Sequence, residues 1–142
     1  MNNLRKGFLV IFLLLAFAIE SWAAGAVIED TCQQAQTQRE LTSCWSRAAK
    51  EAEKSLTEGY EKAVARLEAG KANGALVLLK GSQMKWESYR DAQCATVSKL
   101  YEGGSAESMQ RDSCRARLAN QRKSELDSIL ADWGTGGEGT QN

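Results

Sequence analysis

The sequence predicts an all-α fold: an elongated antiparallel three-helix array stapled by two disulfides. Three observations carry that expectation. Apolar residues recur in steps of three and four over long stretches. Glycine-containing turns divide those stretches, and no proline interrupts them. Four cysteines, an even number, supply the staples.

The first segment lies outside the array. Residues 1–23 read as a secretory signal peptide. Arg5 and Lys6 give it a positive start, Phe8 to Ile19 is an unbroken apolar run, and Ser21-Trp22-Ala23 is the small-x-small pattern that a signal peptidase reads. Cleavage is expected after Ala23, with Ala24 and Ala26 as near equivalents. The run is shorter than the roughly 20 apolar residues that span a bilayer. No lipobox precedes the first cysteine, Cys32, which follows Glu29-Asp30-Thr31. The expected product is periplasmic or secreted, with no membrane attachment after cleavage. From 18 basic and 18 acidic residues, loss of Arg5, Lys6 and Glu20 leaves 16 and 17, a net charge of −1.

A helical domain over 24–133 follows. Helix one opens at Thr37, with Glu40 three residues on. That is the capping-box pattern, in which each side chain satisfies an orphan backbone donor of the other residue. Leu41, Trp45, Ala48, Ala52, Leu56, Tyr60, Ala63 and Leu67 trace one face. Glu58 and Lys62 form a favourable pair on the wet side. Gly59 is an interior weakness of about 1 kcal/mol against alanine. Gly70 is read as the stop, followed by a turn through Lys71-Ala72-Asn73-Gly74.

Helix two is expected from about Ala75 to Tyr101, with Leu76, Leu79, Trp86, Tyr89, Val97 and Leu100 as its apolar positions. Gly103-Gly104 breaks it. Ser105 is the expected cap of helix three, and Glu107 suits the helix dipole. Met109, Ala116, Ala119, Leu126, Ile129 and Trp133 mark its buried stripe. The tail over 134–142 has no apolar side chain and is expected to be disordered. The helices should each be roughly 40–50 Å long. Short turns make chain neighbours antiparallel.

The cysteines fit this layout. Cys94 and Cys114 each lie ten residues from Gly104, so they fall level across a helical hairpin turning there. A continuous helix would hold Cys32 and Cys44 about 18 Å apart, beyond disulfide reach. If they pair, Cys32 sits on a non-helical arm folded back onto helix one. Four cysteines allow three connectivities. The layout favours Cys32–Cys44 with Cys94–Cys114. Zinc is a poor alternative, because there is no Cys-x-x-Cys pair and no histidine.

Composition also removes reaction classes. Without histidine there is no Ser-His-Asp or Cys-His system. Balanced charge argues against a nucleic-acid partner. There is no P-loop and no EF-hand loop, and no carboxylate pair is marked by its setting. The chain reads as a non-enzyme without metal or cofactor.

The densest stretch is Gln83 to Cys94. Trp86 and Arg90 stand one turn apart, which lets the guanidinium lie over the indole. Asp91 can meet a charge on a neighbouring helix. Gln83, Trp86, Tyr89, Arg90 and Asp91 form either a recognition patch or the inter-helix core. The core reading is preferred, since aromatic stripes at helical spacing are usually core. Arg111, Arg115, Arg117, Arg122 and Lys123, interleaved with Asp112, Glu125 and Asp127, read as a solvated face of mixed ion pairs.

At this stretch the chain resembles the LprI-type lysozyme-inhibitor domain family of exported bacterial proteins. The resemblance runs in order through Cys32, Thr37-Gln38-Arg39-Glu40-Leu41 with Cys44, and Gln83-x-x-Trp86-x-x-Tyr89-Arg90-Asp91-Ala92-x-Cys94. Gly103-Gly104-Ser105, Cys114, Arg122 and Leu126 complete it, from about Cys32 to Leu130. Ala119 stands where the family often has threonine, and the lipobox of its founding inhibitor is absent. The resemblance implies disulfides at all four cysteines, signature positions at Trp86, Tyr89, Arg90 and Asp91, and a lysozyme as protein partner.

Lysozyme cleaves with two carboxyl groups in a cleft. A blocker should insert a narrow element that offers donors or a cation. Two turns qualify: the one with Lys71 and Asn73, and the one of Gly103, Gly104 and Ser105. The alternative is a periplasmic interaction module, such as a toxin-immunity or envelope assembly protein without lysozyme-inhibiting activity. A cell-wall hydrolase is the third and weakest class.

Overall fold

The computed structural model describes residues 32–136. The signal-peptide reading and the last part of the expected tail lie outside the described residues. Three long helices make up the fold: α1, Gln38–Ala69; α2, Asn73–Lys99; and α3, Glu107–Gly136. Two disulfides cross-link them, Cys32–Cys44 and Cys94–Cys114, with Cα separations of 5.7 and 5.5 Å.

α1 starts where its capping box places it. Thr37 is the N-cap and accepts from the Glu40 N–H at 3.2 Å. The Glu40 carboxylate accepts in return from the N–H groups of Gln36 and Thr37, both at 3.0 Å. Those backbone donors, Gln36 first, hold the Glu40 carboxyl below its ordinary pKa. Ahead of the cap the chain folds back to bring Cys32 onto α1. Cys32 and Gln33 are themselves helical, so the arm is a broken helix and not the plain coil that the cysteine spacing suggests.

α1 and α3 form the principal interface and run parallel. Gln38 meets Met109 towards one end, and Gly70 meets Trp133 at the other. The seam is built from small residues: Ala49, Ala52 and Ala63 of α1 pack with Ala116 and Ala119 of α3, flanked by Leu56, Leu67 and Leu126. Gly59 is buried in the same seam, where a Cβ would stand 3.4 Å from the Lys123 stem. Its apparent weakness in the sequence is therefore a close-packing position. α2 runs antiparallel to both. It meets α3 at Cys94–Cys114 and at Ser82 to Arg122, and shares the least surface with α1.

Several expected core positions are not core. Tyr89, Leu100 and Ile129 are 54%, 78% and 47% exposed. The buried positions of α2 are Leu79, Gln83, Cys94 and Ser98, so two of its four are polar. Helix spacing alone cannot show which face turns inward when apolar residues such as Val77, Leu78 and Met84 also stand on the outer side. α2 also begins at Asn73, not Ala75, which takes Asn73 and Gly74 out of the turn. α3 begins at Glu107, so Ser105 is not its cap, and it continues past Trp133 to Gly136.

Gly70 ends α1 for a reason that the sequence hides. Its φ is −81°, which any residue can adopt. A Cβ there would fall 2.2 Å from Cη2 of Trp133, so glycine is required by close approach. The left-handed residue is Lys71, with φ of 56°. The Lys71 N–H donates to Glu68 O and the Ala72 N–H to Leu67 O, at 3.0 and 2.9 Å. This is the Schellman pattern, with lysine in the place that glycine usually takes.

Two glycine variants separate these causes. Gly70→Ala should lose about 1–3 kcal/mol through overpacking against Trp133. Gly74→Ala, where a Cβ meets nothing within 4 Å, should gain up to about 1 kcal/mol. Urea unfolding of both reads the difference, and equal midpoints would contradict the Trp133 account.

Candidate functional site

The sequence-selected residues fall into two polar networks and two turns, and a surface hollow lies beside them. The first network centres on Arg122, which α3 buries to 8% exposure. Its Nε donates to Gln83 Oε1 at 3.2 Å, and its two terminal nitrogens reach Ser82 Oγ and Glu125 Oε2, each at 3.1 Å. Gln83 is buried too, and its amide nitrogen donates to Glu87 at 3.2 Å. A buried guanidinium is tolerable only when its donors are met, and here α2 supplies two of the acceptors.

The second network joins all three helices. Arg90 lies over the Trp86 ring, 5.3 Å from its centroid, and pairs with Asp91 at 2.9 Å. Glu53 of α1 accepts from Arg115 Nε at 2.7 Å and stands 3.9 Å from Arg90. Asp91 stands 3.9 Å from Arg115, the neighbouring-helix charge that its position anticipates. The hydrogen bond from Arg115 to Glu53 raises the Arg115 pKa above its ordinary value. Gln83, Trp86, Arg90, Asp91 and Arg122 are thus engaged within the molecule. Tyr89 projects outward.

The basic stretch on α3 does not form one face. Arg111 pairs with Asp112, Arg115 with Glu53, and Lys123 with Asp127, while Arg122 is internal. Glu53, Ser82 and Glu107 were not legible as partners. Each becomes one only through the relative rotation of the helices.

The two turns differ in what they leave open. In the α2–α3 turn Gly103 has a φ of 74°, and its N–H donates to Glu107 Oε2 at 3.0 Å. Ser98 Oγ donates to the other Glu107 oxygen at 3.3 Å, and Glu102 pairs with Lys99. In the α1–α2 turn Lys71 is exposed at the apex. Ala72 gives α2 no side-chain cap, and no acidic residue lies in its first turn. Behind this turn, Trp133 packs on Gly70 and carries Arg66 5.7 Å from its ring centroid.

An open hollow lies on the outer face of α1 beside the α2–α3 turn. Arg39, Arg47 and Lys50 line it with Gln38, Thr42, Ser43 and Ser46, and Ser105 closes one side. No carboxylate is among its lining residues. Among the described residues, no group of acidic or cysteine side chains is placed to hold a metal ion.

The Arg122 network has a direct test. Gln83→Leu keeps the volume but leaves Arg122 Nε without its buried acceptor, so it should cost about 1–3 kcal/mol. Exposed Tyr89→Ala should cost less than about 0.5 kcal/mol. Chemical denaturation of both variants checks the contrast, and a neutral Gln83→Leu would contradict the buried network.

Comparisons with known proteins agree with this architecture. A crystal structure of a DUF1311 family protein from Pseudomonas putida KT2440 superposes with a TM-score of 0.58. It is 22% identical and covers 69% of this chain and 95% of its own, a likeness in fold. An uncharacterised protein of Rhizobium meliloti (strain 1021) is 32% identical over 111 residues, spanning 72% of this chain and 80% of its own. The family model for the lysozyme inhibitor LprI matches residues 29–126, which take in both disulfides and both networks. The chain belongs to the LprI lysozyme-inhibitor family.

Proposed function

We propose that the chain is an exported inhibitor that blocks a lysozyme by seating the Lys71 turn against the carboxyl groups of the enzyme's cleft. The observation that carries this reading is Lys71 itself. A lysine held at φ of 56° costs about 1 kcal/mol relative to glycine, and strain of that kind gathers at functional sites. The turn is narrow, with only Gly70, Lys71 and Ala72 between α1 and α2. Its apex carries a cation, and the first-turn N–H groups of α2 receive no side-chain acceptor. Both features suit a carboxylate.

The α2–α3 turn suits that role less well. Its Gly103 donor is occupied by Glu107, and Glu102 adds a negative charge. The signature residues Trp86, Arg90 and Asp91 are spent on internal contacts. The family supplies the partner class, and the expected signal peptide supplies the export. The chain is read as a protein-binding non-enzyme.

Lys71→Gly distinguishes contact from scaffold. Glycine relieves the left-handed strain, so the variant should be about 1 kcal/mol more stable in urea. It should also inhibit roughly tenfold less well, because a charged contact is lost. A cell-wall turbidity assay with animal-type and bacterial lysozymes reads the inhibition. Undiminished inhibition by Lys71→Gly would overturn the assignment of the turn. No inhibition of any lysozyme by the parent chain would overturn the function.

A further inference from the structure

The hollow on α1 lies away from the Lys71 turn and is independent of the lysozyme reading. Lys50 is 21 residues before Lys71, roughly 30 Å along the helix. Most cations elsewhere are compensated within the molecule: Lys54, Lys80, Lys99, Arg111 and Lys123 each have a carboxylate, as do the buried networks. Among the described residues, Arg39, Arg47 and Lys50 have none, as is true of Lys62, Arg66, Lys71, Lys85 and Arg117, but these three share one hollow. The Arg47 guanidinium donates only to a neighbouring hydroxyl, Ser43 Oγ, at 2.9 Å.

Their spacing explains the gathering. Arg39, Ser43 and Arg47 form one i, i+4 row, and Thr42, Ser46 and Lys50 form the next. The two rows make a strip roughly 16 Å long that carries three cations and three hydroxyls. Arginine forks and hydroxyls are donors matched to phosphate oxygens. The strip lies at the end of the molecule where both disulfides sit, so its backbone is held before any ligand arrives.

From this arrangement we infer that the hollow binds a linear polymer bearing repeated phosphate groups. Its lining includes no aliphatic or aromatic side chain. A protein interface would need such an anchor at its centre, and a single-stranded nucleic acid would need a stacking surface for its bases. A flexible, hydrophilic polyanion needs neither. The hollow is open along its length, so several phosphates of one chain can cross it at once.

Calorimetric titration of the purified, disulfide-intact chain with linear polyphosphate tests this inference. Binding should weaken steadily as salt rises. The triple variant Arg39→Gln, Arg47→Gln, Lys50→Gln should lose roughly tenfold or more in affinity. These side chains are exposed, so its thermal unfolding should match that of the parent. A control triple variant at the exposed Lys62, Lys85 and Arg117 should bind like the parent. Inhibition of lysozyme should be unchanged in both triple variants, which separates a failure here from a failure of the inhibitor reading. Absence of polyphosphate binding would overturn the inference. So would equal loss in the control variant, equal binding of poly-glutamate, or tighter binding of a single-stranded or duplex oligonucleotide.

Discussion

The fold depends on how little apolar surface α2 turns inward. α1 contributes Ala49, Ala52, Leu56, Ala63 and Leu67 to a continuous seam with α3. α2 buries Leu79 as its one large aliphatic side chain. Burying one leucine contributes about 1.5–3 kcal/mol, whereas ordering each residue costs about 1–2 kcal/mol before any contact forms. α2 therefore has to be attached by other means. Cys94–Cys114 fixes one half covalently and contributes about 3 kcal/mol in the chain-entropy model. The Arg122 donors grip Ser82 and Gln83 in the other half. Arg90 and Asp91 lie between these anchors and reach Glu53 and Arg115 on the other two helices.

This constraint explains what the sequence revealed and what it concealed. Local signals were legible because neighbours in sequence decide them. The Thr37–Glu40 capping box, the glycine break near Gly103 and the level placement of Cys94 and Cys114 all correspond to the structure. Rotation about a helix axis was not legible where apolar residues surround the axis. On α2 the aromatic and aliphatic residues Tyr89 and Leu100 turn outward while Gln83 and Ser98 turn inward, because Arg122 and Glu107 provide their partners. Gly70 misleads for a related reason. Its cause is Trp133, far along the chain, and the local turn conformation that suggests glycine belongs to Lys71.

The candidate site was legible as a choice of two turns, and the two differ in the donors and charges that they leave open. One turn spends its donor on Glu107 and presents Glu102. The other holds an exposed lysine in a conformation that favours glycine, with Trp133 and Arg66 packed behind it. The hollow of Arg39, Arg47 and Lys50 was missed. Its signal was present as arginines eight residues apart with hydroxyls between them, but a count of charges over the whole chain averages it away.

The proposed function makes the family signature scaffold and the Lys71 turn the contact. Amide hydrogen exchange of the chain, free and with a lysozyme that it inhibits, tests that division most directly. Complex formation should slow exchange at residues 70–76 and leave 83–94 unchanged. New protection across Trp86, Tyr89, Arg90 and Asp91, with none at the Lys71 turn, would contradict that division.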